Sequence, residues 1–94
     1  MRINKKVKEK YFKAIQDGRK RFEVRLADFE CGDGDIVVLQ EQNEETNELT
    51  GNTLECEVLY KLNTKEAEKF YTKEDIDKYG LLIMGIRKHY DFDK

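Results

Sequence analysis

The chain has 94 residues, with 18 Lys and Arg against 20 Asp and Glu and a formal net charge of −2. That length holds one domain, and the balanced total excludes the broadly basic composition by which many nucleic-acid proteins are recognised. Charged residues are 40% of the chain and hydrophobic ones 38%, which predicts a modest core under a highly charged surface, and no apolar run approaches the ~20 residues of a membrane span.

Residues 2–7 read as a short opening strand. Residues 8–17 follow with Val7, Tyr11 and Ile15 at i, i+4 and i+8, which predicts an amphipathic helix ending at Asp17-Gly18. Residues 20–26 alternate: Phe22, Val24 and Leu26 on one face, Arg21, Glu23 and Arg25 on the other, as in a half-buried strand. After a turn region holding Gly32 and Gly34, residues 36–39 form a continuous apolar run, predicted as a strand covered on both faces. Residues 42–52 read as a polar hairpin loop containing Thr50-Gly51-Asn52, and residues 53–62 alternate again as a strand. Residues 63–79 turn helical, with a capping box at Thr72-Lys73-Glu74-Asp75 and a stop at Gly80. Residues 81–86 are a buried closing strand and residues 89–94 a polar tail. The order β-α-β-β-β-α-α-β predicts an α+β fold: a small five-stranded, mostly antiparallel β-barrel with flanking helices.

Charge is segregated along the chain. Residues 1–25 carry ten basic and three acidic side chains, a net +7, and the remainder carries −9. A local positive field attracts phosphate even when the total is negative. The densest cluster is Gly18-Arg19-Lys20-Arg21-Phe22-Glu23-Val24-Arg25. On a strand, Glu23 and Arg25 share a face at roughly 7 Å. Glu23 would then orient Arg25 or Lys20, leaving Arg25 donors for a phosphate, a carboxylate or a base edge.

The spacing of Gly18, Lys20, Glu23 and Arg25, G-x-K-x-x-E-x-R directly after an amphipathic helix, resembles the signature of ASCH domains, small β-barrels of the PUA-like superfamily. Residues 9–25 are similar to the helix–loop–strand unit of a short single-domain branch found in bacteria and their phages. Residues 34–41, 49–60 and 80–86 resemble its later strands in the same order. The resemblance implies a cleft between barrel and first helix, lined by Lys20, Glu23 and Arg25, with Gly18 letting the backbone turn into it. It further implies an RNA-binding module; Arg19, Arg21 and Lys13 complete the expected ligand-binding set. One ASCH-type group hydrolyses acetylcytidine with a Lys and a Thr on this strand and a later Glu. This chain keeps Lys20 but has Glu23 at the Thr position, so Lys20 and Glu23 would be the catalytic pair if the protein is an amidohydrolase. Glu66, Glu68 and Glu74 lie in the later helical segment without one being singled out. A third reading is an accessory protein that binds a protein partner through its acidic face.

Other residues carry less. Cys31, Cys56 and His89 lack metal-ligand spacing, so no metal is expected, and no cofactor motif is present: Gly32-Asp33-Gly34-Asp35 is a turn, not a phosphate loop. The acidic residues around Glu44 read as a solvated hairpin. Tyr11, Phe12, Phe22 and Tyr60 read as core, and Tyr90 and Phe92 as tail residues able to touch a partner. No apolar leader follows Met1, which predicts a cytoplasmic protein with free thiols. The expected partner is RNA or a nucleotide-like anion, with no membrane.

Overall fold

The computed structural model describes residues 1–84 and 86. Its elements are β1 (Arg2–Lys8), α1 (Glu9–Gln16), β2 (Ile36–Gln42), β3 (Leu49–Glu57), α2 (Thr64–Glu68) and α3 (Lys73–Tyr79). In β1 the side chains of Ile3, Lys5 and Val7 turn inward while Arg2, Asn4 and Lys6 are exposed, the period-2 pattern of a strand covered on one side. The chain passes from Lys8 straight into α1, where Glu9 in the first turn and Lys13 in the last complement the helix dipole. The helix stops because Gly18 takes φ +83°, a conformation open to glycine at little cost.

Helix α1 and the loop of residues 17–35 carry the chain back to the start of β1, so β2 lies parallel to β1, with Ile3 opposite Val37 and Lys5 opposite Leu39. A tight turn then reverses the chain into β3. Asn43 builds that turn: its Oδ1 accepts from the N–H groups of Glu45 (2.8 Å) and Thr46 (3.0 Å), and Asn47 adopts φ 61°, as asparagine tolerates. The sheet order is β1-β2-β3. The core is Val7, Phe12 and Leu39, surrounded by Ile15, Val37, Leu54 and Cys56. It joins the inner face of α1 to one face of the sheet.

The expected five-stranded, mostly antiparallel barrel is not what forms. The described residues make an open, mixed, three-stranded sheet, and one of its two pairings is parallel. Residues 20–26 are not a strand. Their polar groups are spent locally, Lys20 Nζ donating to the Phe22 carbonyl and Arg21 Nε to the Gly18 carbonyl, and Val24 and Leu26 stay exposed. The strand placed at residues 53–62 begins earlier and ends at Glu57, because its partner β2 begins at Ile36, opposite Glu57. Thr50-Gly51-Asn52, read as hairpin loop, belongs to β3. Residues 81–84 and 86 form no strand; Gly85 of that segment and the tail with His89, Tyr90 and Phe92 lie outside the described residues.

The expected cap of the later helix is present: Thr72 Oγ1 accepts from the Asp75 N–H at 3.1 Å. Gly80, φ +69°, ends α3, its N–H donating to the Ile76 carbonyl at 2.8 Å. Helix α3 buries none of its residues, and Phe70, Tyr71 and Tyr79 are exposed. Of the four aromatics read as core, only Phe12 is buried; Tyr11, Phe22 and Tyr60 are not.

Candidate functional site

The end of α1 places the motif. Its last turn is closed by bonds from the Asp17 N–H to the Lys13 carbonyl (3.0 Å) and from Gly18 to Ile15 (3.1 Å). Beyond the glycine turn the Lys20 N–H returns to the Ala14 carbonyl at 2.9 Å. Lys20 is thus anchored against the helix, and its side chain, 16% exposed, folds over two aromatic rings. Its Nζ stands 4.6 Å from the Phe22 ring centre and 5.5 Å from that of Tyr11, within cation–π range.

The same ammonium donates to the Phe22 carbonyl at 2.7 Å and to Glu23 Oε1 at 3.3 Å. Arg25 reaches Glu23 from the other side, Nε and Nη2 each lying 2.8 Å from Oε2. Arg25 Nη2 also donates to the Lys6 carbonyl, tying the loop to β1. Lys20, Glu23 and Arg25 therefore form one ion-paired chain with Glu23 at its centre. The Glu23 and Arg25 side chains are 27% and 30% exposed. Each charge is thus partly withdrawn from water, where bonds to ionised partners are stronger than neutral ones.

The other expected ligand residues are spread around this chain. Arg21 is exposed, and its Nε donates to the Gly18 carbonyl at 3.2 Å; no carboxylate pairs with it among the described residues. Arg19 is turned back to Asp17, Nε to Oδ2 at 2.9 Å, and that guanidinium holds the Asp17 carboxyl below the usual carboxylate range. Lys13 is not brought to the motif. It follows Tyr11 by two residues, about 200° around the helix, and its charge acts on Glu41 instead. Glu66, Glu68 and Glu74 lie on α2 and α3 and make no ion pair with Lys20.

Two features were not expected from the sequence. Tyr11 and Phe22 form the aromatic walls beside Lys20, and Lys10 Nζ also lies 5.0 Å from the Tyr11 ring centre. The signal was the pair Tyr11-Phe12: adjacent helix positions face about 100° apart, so burying Phe12 turns Tyr11 outward. The second is Glu41, 5% exposed. Its position two residues after Leu39 put it on the inward face of β2. There the register breaks: one residue of β2 opposes Thr50-Gly51-Asn52 of β3 between the pairs Gln40–Thr53 and Gln42–Leu49. This bulge wraps the carboxylate, the Thr50 hydroxyl (2.8 Å) and the Asn52 amide (3.0 Å) both donating to Oε1. The Asn52 amide chiefly, then the Thr50 hydroxyl, hold the Glu41 carboxyl below its ordinary range, with the Lys13 charge adding to them.

Cys31 and Cys56 are free thiols. Burial pushes the Cys56 thiol up, and the negative charge of Glu23 acts in the same direction, the reverse of what an activated nucleophile requires. Among the described residues no group of three or more His, Cys, Asp or Glu side chains is gathered to hold a metal ion. A cleft of about 380 Å³ lies elsewhere, lined by Met1, Glu30, Cys31, Gly32, Asp35 and Lys61; no motif residue lines it. No described helix is long and apolar enough to cross a membrane.

No curated protein and no solved structure matches the chain. A family model described as a domain of unknown function, DUF3850, matches residues 4–86. That span takes in most of β1, the whole motif from Gly18 to Arg25 and all later elements, so the chain belongs to the DUF3850 family.

Proposed function

We propose that the chain is an RNA-binding module whose Gly18–Arg25 segment is an ASCH-type, PUA-like signature, and that it acts in the cytoplasm. The supporting observation is the convergence of Lys20 and Arg25 on Glu23 against α1, with exposed Arg21 beside them. Arg25 keeps guanidinium donors beyond those used on Glu23 and Lys6, and Arg21 presents a guanidinium with no carboxylate partner among the described residues. Both suit phosphate, which guanidinium groups engage bidentately. Glu23 positions the two cations and retains acceptor capacity for a base edge. The net charge of −2 limits the attraction to this one region.

Fluorescence anisotropy of a labelled RNA tests the reading. Affinity is expected to fall steeply with salt, and Lys20→Ala and Arg25→Ala are each expected to weaken it. No binding at low ionic strength, or binding indifferent to salt, overturns it. The Lys20–Glu23 pair at 3.3 Å supports a second reading, an amidohydrolase acting on a modified nucleoside. Release of cytidine from acetylcytidine, abolished by Lys20→Ala, would favour that reading over binding alone. Capture of a protein partner that survives Lys20 and Arg25 substitution but fails after acidic-face substitution would favour a protein-binding role.

A further inference from the structure

We propose that the nucleic acid this surface takes is single-stranded, with unpaired bases stacked on Tyr11 and Phe22; the inference rests on the RNA-binding reading and names its substrate class. Phosphate alone requires only cations, which serve a duplex and a single strand alike. The motif region offers more. Tyr11 is 44% exposed and Phe22 36% exposed, although Phe12, adjacent to Tyr11, is packed away at 2%. Both rings face one ammonium, Lys20 Nζ, and Lys10 Nζ stands at 5.0 Å from the Tyr11 ring centre. Aromatic rings open to solvent and interleaved with cations are the arrangement of a single-strand platform: bases stack on the rings while the cations track the backbone.

A duplex cannot use those rings, because its bases are stacked on one another and an RNA duplex exposes chiefly its backbone and shallow groove. The local fold keeps the rings available. Phe22 lies in a segment that joins no sheet, held by the bond from Lys20 Nζ to its carbonyl. Tyr11 is fixed on α1, with its neighbour Phe12 anchoring that turn in the core. Lys20 is held by Glu23 and the Phe22 carbonyl at the same time, so the platform is set before any ligand arrives and little ordering is needed on binding.

The test compares a labelled RNA of about 12 nucleotides, within the site sizes of single-strand binders, with the same strand annealed to its complement. Anisotropy titrations at low ionic strength are run on the wild type and on Tyr11→Ala, Phe22→Ala, Tyr11→Phe and Phe22→Tyr. The single strand is expected to bind at least about tenfold tighter than the duplex. Each alanine variant is expected to lose about 5- to 160-fold on the single strand, the range of one base–aromatic stack, and each ring-retaining variant is expected to stay near wild type. Equal or tighter duplex binding overturns the inference while leaving RNA binding intact, as does single-strand affinity unmoved in both Tyr11→Ala and Phe22→Ala. Failure of both RNAs to bind the wild type overturns the underlying reading, and this inference with it. The wild-type preference between the two RNAs decides the matter even where an alanine variant does not fold.

Discussion

Glu23→Gln separates a carboxylate that restrains cations from one that contacts ligand. Glu23 receives three N–H contacts, from Lys20 at 3.3 Å and from Arg25 Nε and Nη2 at 2.8 Å each. A hydrogen bond to a charged group contributes about 1.5–3 kcal/mol. The three side chains here are 16–30% exposed, and screening by water brings the combined effect closer to about 1 kcal/mol. The amide also keeps one oxygen acceptor. The melting temperature should therefore fall by roughly 4–8 °C, as about 1 kcal/mol does in a domain of this size. RNA binding should move the other way. Removing the carboxylate frees Lys20 and Arg25 for phosphate, so the plot of log affinity against log salt should steepen by about 0.7 for each cation that reaches a single-strand phosphate. Thermal melts followed by circular dichroism and anisotropy over a salt series read both quantities. A folded variant whose affinity drops with an unchanged slope would refute the reasoning, because Glu23 would then act as an acceptor for a base edge and not as a restraint on the two cations.

Phe12→Ala removes one of three buried apolar side chains among the described residues. It should cost about 3–5 kcal/mol, enough to leave the fold marginal in urea titration against a total of about 5–15 kcal/mol. Gly18→Ala meets open space, its new methyl 4.0 Å from Arg21 Nη2, but keeps φ +83°; a cost of about 1–2 kcal/mol from backbone strain alone is expected by the same titration. The Glu41 carboxyl is lowered by its Asn52 and Thr50 partners. Its contribution is therefore complete above the ordinary carboxylate range and is lost as pH falls through the lowered value. Melting temperatures taken from neutral into acid should show that decline, and Thr50→Val with Asn52→Leu should reduce it.

The sequence periods located β1, α1, β2 and the helical segment of α2 and α3, and failed at residues 20–26 and at the ends of β3, for reasons visible in particular residues. The 3.6-period marked α1 because one face of that helix does cover the sheet, though Val7 belongs to β1 and Phe12 with Ile15, rather than Tyr11, packs on the core. The alternation of Phe22, Val24 and Leu26 was as regular as that of β1, yet no strand formed. Period 2 states which side chains share a face, and says nothing about whether a strand edge is available to pair with. Lys20, Arg21 and Arg25 instead satisfy carbonyls of Phe22, Gly18 and Lys6 with side-chain donors, and a segment held by its side chains needs no ladder. The end of β3 was illegible for a related reason: it is set by Ile36, the first residue of its partner, not by anything in β3 itself.

The candidate site was legible in residue identity and not in how its charge is used. The +7 of residues 1–25 suggested cations free for phosphate. All three acids of that segment are engaged: Asp17 with Arg19, Glu23 with Lys20 and Arg25, and Glu9 with the Glu44 N–H. Arg2 pairs with Glu55 of β3, and Lys13 acts on Glu41. Arg21 of the motif and Lys10 of α1 have no carboxylate partner among the described residues. Of these two, Lys10 stands beside an exposed ring, Tyr11. The motif thus divides its work: Lys20, Glu23 and Arg25 hold a rigid floor that keeps one net positive charge, while α1 and Arg21 add to the field. A binding surface built this way depends on which cations remain unpaired after folding, a quantity that neither the total charge nor its division along the chain can report.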